Sequence, residues 1–438
     1  MNARLSRVAK LDRRRFLSTG AVFAAGSGLG LGLWSGEGAA HAGVHRLDRI
    51  RGLLIGSAIG DALGGPIEFQ SLDRVQTLPE PTKRWRIGER LDAEGRRQAA
   101  SRLRLRSYAA LRPGTESYGQ WNPESQPGTI TDDTRHKLVL LYALHQASKR
   151  KLAGLEVKDL ARAYLEWPRT SAVLGRPGYQ ELCRDWLEEW QFAARWVLGD
   201  RDESRALPPE RMWQSLPTCC GQMTLLPLAG LFPGRPEEAY RAAYRLGFFD
   251  NGFGKDLNAA LVAGLARALE IPAREWGARE AMEQVMRTLR EVDPLRFRKI
   301  RWSERAVDRW LDLSLRLARE ASGQPARLFE ALEAEFERTT KWEAQVPFVV
   351  VFSCFELADH DPLAALQLTL EWGHDTDSYA SVAGAFAGAL YGANLFAPTL
   401  LQPVVARLHA DHGIDLEEES RFLARLAERG ARRTWVKR

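Results

Sequence analysis

Cysteine is scarce. Four cysteines in 438 residues cannot form a disulfide scaffold, so the fold has to rest on its own core. Long apolar runs are missing too: past residue 34 nothing approaches the roughly 20 residues that a membrane-spanning helix needs. Strand-like alternation is almost absent, which argues against a sheet. There is no repeat of 20–50 residues and no long linker, so the chain does not read as a solenoid or a string of small domains. At 45% hydrophobic and 27% charged residues it is neither disordered nor collagen-like. A one-sided charge is also lacking once the first 42 residues are set aside. The whole chain carries +6, residues 1–42 carry +4 of it, and the remaining 396 residues carry only +2. So small a charge exerts no global pull on nucleic acid or anionic lipid.

The N-terminal stretch has its own pattern. Arg13-Arg14-Arg15-Phe16-Leu17 precedes a Gly/Ala-rich apolar run from Thr19 to Trp34, and Ala40-His41-Ala42 follows. A basic head, an apolar middle and a small-x-small exit describe a secretory signal. The paired arginines resemble a twin-arginine signal, which a receptor reads to export folded proteins. The expectation is a leader over 1–42, cleaved after Ala42, with the twin-arginine export machinery as its partner. The mature protein is then periplasmic or extracellular and has no membrane anchor. Folding in a reducing cytoplasm leaves Cys183, Cys219, Cys220 and Cys354 with no need to pair, and they read as small buried hydrophobes.

What the chain has in abundance is helical periodicity. Leu182, Trp186, Trp190, Ala193 and Val197 form one apolar stripe at three-to-four spacing. Segments 138–150, 256–270, 279–291, 305–319 and 326–338 read as further helices, with Pro and Gly between them. The expected fold is all-α, one large multi-helix domain over 43–438. The 14 tryptophans read mainly as core. One stretch departs from the pattern: residues 70–128 hold eleven basic and seven acidic residues and are rich in Pro, Arg and Gln. Within them Arg102, Arg104 and Arg106 alternate, which would put them on one face of an extended arm. Both ends of this insert abut candidate site residues, so the three arginines are candidates for gripping a phosphate.

Three segments combine small residues with carboxylates. In Arg51–Phe69, Gly52, Gly56, Gly60 and Gly64 recur every four residues, with Asp61 beside the stripe and Glu68 beyond Pro66. Each glycine costs a helix about 1 kcal/mol relative to alanine, so four on one face point to another backbone lying against it. Thr131-Asp132-Asp133-Thr134 leads into an apolar helix. Thr or Asp there is first of all an N-cap, but one suffices, and two adjacent carboxylates also suit a hard cation. Asp375-Thr376-Asp377-Ser378 opens a second helix, lined by Ala380, Ala383, Gly384, Ala387 and Gly388. Thr131, Asp132, Asp133, Asp375, Asp377 and Ser378 make an oxygen-only ligand set. Such a set selects Mg²⁺, Mn²⁺ or Ca²⁺ over Zn²⁺, and two cations would relieve the repulsion among four aspartates.

At these residues the sequence resembles the ADP-ribosylglycohydrolase family, which includes ADP-ribosyl-acceptor hydrolases and dinitrogenase-reductase-activating glycohydrolase. The Gly-rich first helix ending in Gly-Asp-Ala-Leu-Gly with a following Glu, then Thr-Asp-Asp-Thr, then Asp-Thr-Asp-Ser on an Ala/Gly helix, occur here in order over 51–392. The resemblance implies an all-α fold around a central pair of Mg²⁺ ions, with Mn²⁺ as a substitute. It makes Thr131, Asp132 and Asp133 ligands of one ion, and Asp375, Asp377 and Ser378 ligands of the other, with Asp377 shared. Glu68 and Asp133 become the candidate catalytic carboxylates. Asp61 and His374 join Arg102, Arg104 and Arg106 as substrate-binding candidates, although Asp61 could equally tie its helix to a loop by hydrogen bonds.

The sequence also departs from the family pattern. His374 stands where many members have Gly. Cys219-Cys220-Gly221-Gln222-Met223-Thr224 replaces an Asn-Gly-x-x-Met-Arg stretch, and Asp250–Asp256 replaces a Thr-His-Asn segment. The resemblance implies a magnesium-dependent hydrolase that cleaves an N- or O-glycosidic bond of ADP-ribose or a related ribosyl substrate. Its partner is then a small-molecule or ADP-ribosylated substrate and not a nucleic acid. Two alternatives stay open: a two-metal phosphoester or nucleotide hydrolase, and a non-enzymatic binding protein on the same fold.

Overall fold

The computed structural model describes residues 37–69, 85–107, 126–150, 154–170 and 179–430. The expected leader up to residue 36 lies outside the described residues, as do 70–84 and 108–125 of the basic insert and the side chain of Cys183. Residues 42–438 form one compact unit. Among the described residues there are seventeen α-helices and no strand, only an isolated bridge between Thr218 and Glu343. The fold is all-α. No described helix is long and apolar enough to cross a membrane.

The chain starts with α1 (Glu37–Gly64), continues through α2 (Ala93–Ser101) of the insert, and reaches α3 (Asp132–Lys149) and α4 (Val157–Glu166). Next come α5 (Tyr179–Val197), the short α6 (Cys220–Leu225), α7 (Pro236–Leu246) and α8 (Gly254–Ala268). A peripheral group follows: α9 (Ala273–Trp276), α10 (Ala278–Glu291), α11 (Ala306–Glu320) and α12 (Pro325–Glu335). Then α13 (Gln345–Leu357), α14 (Pro362–Trp372) and α15 (Thr376–Tyr391) lead to α16 (Pro398–His412) and α17 (Leu416–Gly430). The helices read from periodicity are present, shifted by a few residues at their ends. Helix α13 carries no such stripe. Its run Val349-Val350-Val351-Phe352 is buried on all sides, so burial outweighs the poor helix propensity of β-branched residues.

Helix α15 is the axis. Every residue from Thr376 to Leu390 is buried, and α3, α6, α8, α13 and α14 all pack on it. Its tightest partner is α1, which runs antiparallel to it with backbone against backbone. A Cβ on Gly52 would lie 2.2 Å from the Gly388 carbonyl oxygen, on Gly56 2.2 Å from that of Gly384, and on Gly60 1.9 Å from that of Ala380. A Cβ on Gly64 would lie 2.4 Å from the Asp377 amide nitrogen. The glycine stripe therefore does what its spacing requires, and it delivers the C-terminal end of α1 to the N-terminal end of α15. The Thr376 hydroxyl donates to the Gly64 carbonyl at 2.9 Å and closes that junction.

The described part of the insert is neither a strand nor an extended arm. Helix α2 packs on α14, and Trp85, Leu91, Ala99 and Leu103 are buried. The Trp85 indole N–H donates to Glu371 Oε2 at 2.6 Å, and Arg102 donates to Glu371 Oε1 at 3.1 Å. Glu371 is a fully buried carboxylate that requires such partners.

Gly60→Ala tests the backbone contact. Intrinsic propensity favours alanine by about 1 kcal/mol. The added methyl would nevertheless press on the Ala380 carbonyl, and overpacking of this kind costs about 1–3 kcal/mol or more. The variant should melt below wild type in a thermal scan, whereas an equal or higher Tm would show that the helices can part without loss.

Candidate metal centre

Four aspartates and one glutamate meet where α1, α3 and α15 begin or end. Each is placed by a local device. Thr131 is the N-cap of α3, and its hydroxyl accepts from the Asp133 amide at 3.2 Å. Asp61 completes that cap from α1: its Oδ1 accepts from the Thr131 amide at 2.8 Å and its Oδ2 from the Thr134 amide at 2.9 Å. With the helix end satisfied twice over, Asp132 and Asp133 are not needed as caps. At the start of α15 the Asp375 side chain makes no capping bond, and its Oδ2 is buried with no hydrogen-bond partner. Gly373 and His374, both at positive φ, turn the chain from α14 into this position.

The carboxylates fall into two groups with one member in common. Glu68, Asp375 and Asp377 can each bring one oxygen within 4.8 Å of the others, and so can Asp132, Asp133 and Asp377. Ser378 donates to Asp133 Oδ2 at 3.0 Å, and the Thr131 hydroxyl bonds Asp377. Glu68 and all four aspartates are at most 5% exposed. Burial, followed by the charge of Asp133, pushes Asp132 up to about 7. Burial likewise raises Asp133 to about 8, with Asp377 adding to the effect and Lys137 opposing it. Asp377 rises to about 7 through burial and Asp132, and Asp375 rises well above the carboxylate range through burial and Asp377. Carboxylates this close and this dry hold protons to neutral pH unless a cation compensates them. The oxygen-only donors, the buried Asp375 oxygen and the shared Asp377 fit a pair of hard cations.

Lys137 was not singled out from sequence, although it lies at i+4 from Asp133, a legible pairing. Its buried Nζ donates to the Asp133 carbonyl at 2.8 Å and to Ser381 Oγ at 3.0 Å, and lies 3.8 Å from Asp133 Oδ1. Ser57 Oγ meets Ser381 Oγ at 2.9 Å. One cation and two hydroxyls thus tie α1, α3 and α15 together behind the carboxylates. Burial lowers the Lys137 pKa.

A cavity of about 250 Å³ opens over the carboxylates. Glu68, Asp132, Asp133, Asp375, Asp377 and Ser378 form one side of it. The rest of the lining is aromatic and sulfur-rich, with Phe69, Trp190, Trp213, Trp342, Cys220 and Met223 among its members. Several tryptophans are therefore cavity residues and not plain core. Cys219 lies here too, its sulfur 3.9 Å from Ser378 Oγ. Cys219, Cys220 and Cys354 are free and buried, as expected of small hydrophobes.

Four of the substrate-binding candidates stand elsewhere. Asp61 is fully buried with both oxygens on the α3 amides and does not line the cavity. Arg102 is spent on Glu371 and also lies over the Trp85 ring, and neither Arg104 nor Arg106 lines the cavity. The alternation that put the three on one face requires an extended chain, whereas Arg102 caps helix α2. His374 is close by without lining the cavity. Its ring contacts Glu333 and packs edge-on to Trp372, while its carbonyl accepts from the Phe69 amide at 2.7 Å. Its φ of +65° is one that glycine adopts most easily, so the histidine is held there against its own backbone preference.

The all-helical body carries, under a cleft, two carboxylate groups that could hold metal ions. The chain belongs to the ADP-ribosylglycohydrolase family, whose model matches residues 43–434. Family membership makes it a glycosidase-type hydrolase. A solved structure described as "ADP-ribosylglycohydrolase-related protein complex" is 20% identical to it, with a TM-score of 0.47, covering 88% of this chain and 99% of that one. Among curated proteins none matches.

The raised carboxylate pKa values set a pH dependence. A group whose folded pKa lies above its unfolded value stabilises below the unfolded pKa and loses that contribution as pH rises through the folded one. Metal-free protein should therefore lose stability as pH rises from about 4 through the values of about 7 to about 8 held by Asp132, Asp377 and Asp133. Because a cation competes with those protons, added Mg²⁺ should raise the Tm of EDTA-treated protein more at pH 8.5 than at pH 5.5. No Mg²⁺ effect at either pH, or a larger one at pH 5.5, would contradict the assignment.

Proposed function

We propose that the protein is a magnesium-dependent hydrolase that cleaves an N- or O-glycosidic bond of ADP-ribose or a related ribosyl substrate. The observation that carries this reading is Asp377, common to both carboxylate groups, with Glu68 in one and Asp132 and Asp133 in the other. Cations held there supply Lewis acidity toward sugar hydroxyls. The protein's own residues do the rest. Asp132, Asp375 and Asp377 would hold those cations. Glu68, buried at the cavity wall, transfers a proton at the leaving atom. Asp133 Oδ1, which has no hydrogen-bond partner, accepts from the attacking water, while Ser378 holds Oδ2 in place. The aromatic wall excludes bulk water from the reacting centre. This division of labour differs from that of glycosidases with two facing carboxylates, because most of the carboxylates are committed as ligands.

ADP-ribosyl-arginine, ADP-ribosyl-serine and simple phosphoesters should be assayed side by side with and without Mg²⁺. Release of ADP-ribose that requires Mg²⁺ is expected, and Asp132→Ala or Asp377→Ala should lower kcat/KM by at least about 10³-fold, the loss typical of a dismantled catalytic centre. Cleavage of phosphoesters alone would replace this reading with the two-metal phosphoesterase.

Arg13-Arg14 ahead of Phe16-Leu17, and the small-x-small exit at 40–42, support export of the folded protein by the twin-arginine route. Arg13→Lys/Arg14→Lys should retain precursor in the cell. Exported protein whose intact mass still includes residues 1–42 would refute cleavage.

A further inference from the structure

The aromatic wall has a construction that metal binding does not explain. Phe69 follows the carboxylate Glu68 directly and stands at φ +50°, in the left-handed region. Trp213, Gln214 and Ser215 occupy that region consecutively, at φ +50°, +57° and +67°. Non-glycine residues avoid this conformation, and such outliers gather where a side chain must be aimed at a ligand. Here they aim two aromatic rings at one cavity.

Each of these rings meets a partner edge to face. Phe69 lies 6.1 Å from Trp342 with the planes at 80°, and Trp190 lies 5.7 Å from Trp213 at 71°. Phe69 and Trp342 are 50% and 40% exposed, so they form the mouth, whereas Trp190 is 2% exposed and lies deep. The pairs are braced from outside. The Phe69 amide bonds the His374 carbonyl at 2.7 Å, the Cys219 amide bonds the Trp342 carbonyl at 2.9 Å, and the His136 ring lies 4.1 Å from Trp190, tilted by 36°. At about 250 Å³ the cavity falls just below the roughly 300–1,000 Å³ that enclose a drug-sized ligand. A ribosyl unit and one ring system fit it, and the rest of any larger substrate lies outside.

We propose that this wall is the leaving-group subsite, and that it takes an uncharged heteroaromatic ring bonded directly to C1 of the ribosyl unit. The inference rests on the glycosidase reading above and names its substrate class: N-ribosyl heterocycles. Flat rings stack on indole and phenyl faces with little demand for hydrogen bonds. A guanidinium would bring five N–H donors to a wall of carbon and sulfur. The hydroxyl among them, Thr218 Oγ1, donates to the Cys220 sulfur at 3.0 Å, so on this wall its lone pairs are the side-chain oxygen acceptor offered to five donors, and most of them would lose water without a partner. In hydrolysis the C1–N bond breaks with its electron pair leaving on the ring nitrogen. Water supplies the hydroxyl on C1 and a proton to that nitrogen, and the neutral ring departs with no further reactant.

The test uses free rings and whole substrates. Adenine and nicotinamide should bind the Mg²⁺-loaded protein by calorimetry and quench its tryptophan fluorescence, with free arginine as the control. Trp213→Leu should weaken ring binding about tenfold or more. It should also raise KM for an N-ribosyl heterocycle by a larger factor than for ADP-ribosyl-arginine. If Trp213→Leu fails to fold, Phe69→Leu at the exposed mouth gives the same readout. Arginine binding as tightly as the rings, ring binding indifferent to both variants, or an equal loss on both substrates would overturn the proposal. The last result would place the remote adenine, and not the leaving group, on the wall. Ring binding is read without turnover, so a protein that binds rings but cleaves no glycoside would refute the glycosidase reading and leave the subsite standing.

Discussion

The contact between the backbones of α1 and α15 determines what the rest of the structure can do. Side chains on both faces would hold two helices 8–10 Å apart. Here glycine removes them on both sides: Gly384 and Gly388 are as intolerant of a Cβ as Gly56 and Gly52. The close approach serves the ends of the helices. It places Glu68, just beyond α1, beside Asp375 and Asp377 at the start of α15, and it lets Asp61 reach across to the amides of α3. A looser packing would move those carboxylates apart.

Gathering that much negative charge in a dry place is unfavourable, and the chain manages it by several means at once. Amides of α3 satisfy Asp61. A buried ammonium, Lys137, lies 3.8 Å from Asp133, and hydroxyls of Thr131 and Ser378 hydrogen-bond Asp377 and Asp133. These partners do not cancel the burial, as the upward shifts of all four ligand aspartates show. The remaining imbalance is relieved by protons, and a cation bound there would compete with them, which would couple its affinity to pH and to stability.

Opposite the carboxylates the protein is unlike its own metal side. Aromatic rings, thiols and a thioether stand there, and of the two segments where the sequence departs from the family pattern, Cys219–Thr224 and Asp250–Asp256, the first lines the cavity and the second does not. The second of these supports the first. Asp250 Oδ1 accepts from the Gly221 amide at 2.8 Å and from Asn258 at 2.9 Å, which fixes the start of α6 against the cavity.

The sequence by itself determined the helical class, the close packing of the glycine stripe and which segments carry the carboxylates that gather in the cavity. Those properties live in local spacing: four-residue glycine intervals, caps before apolar runs, and adjacent aspartates. It gave no warning of α13, whose burial on all sides erases the periodic signal, or of Trp190, Trp213 and Trp342 meeting at one cavity. It also misplaced Arg102, because the alternation of arginines says nothing about a buried Glu371 some 269 positions away. Only the tertiary structure decided which aromatic residues face the ligand, and which carboxylate is spent on an amide or an arginine instead of a metal. Those outcomes depend on contacts between residues far apart in the chain, and spacing along one helix carries no information about them.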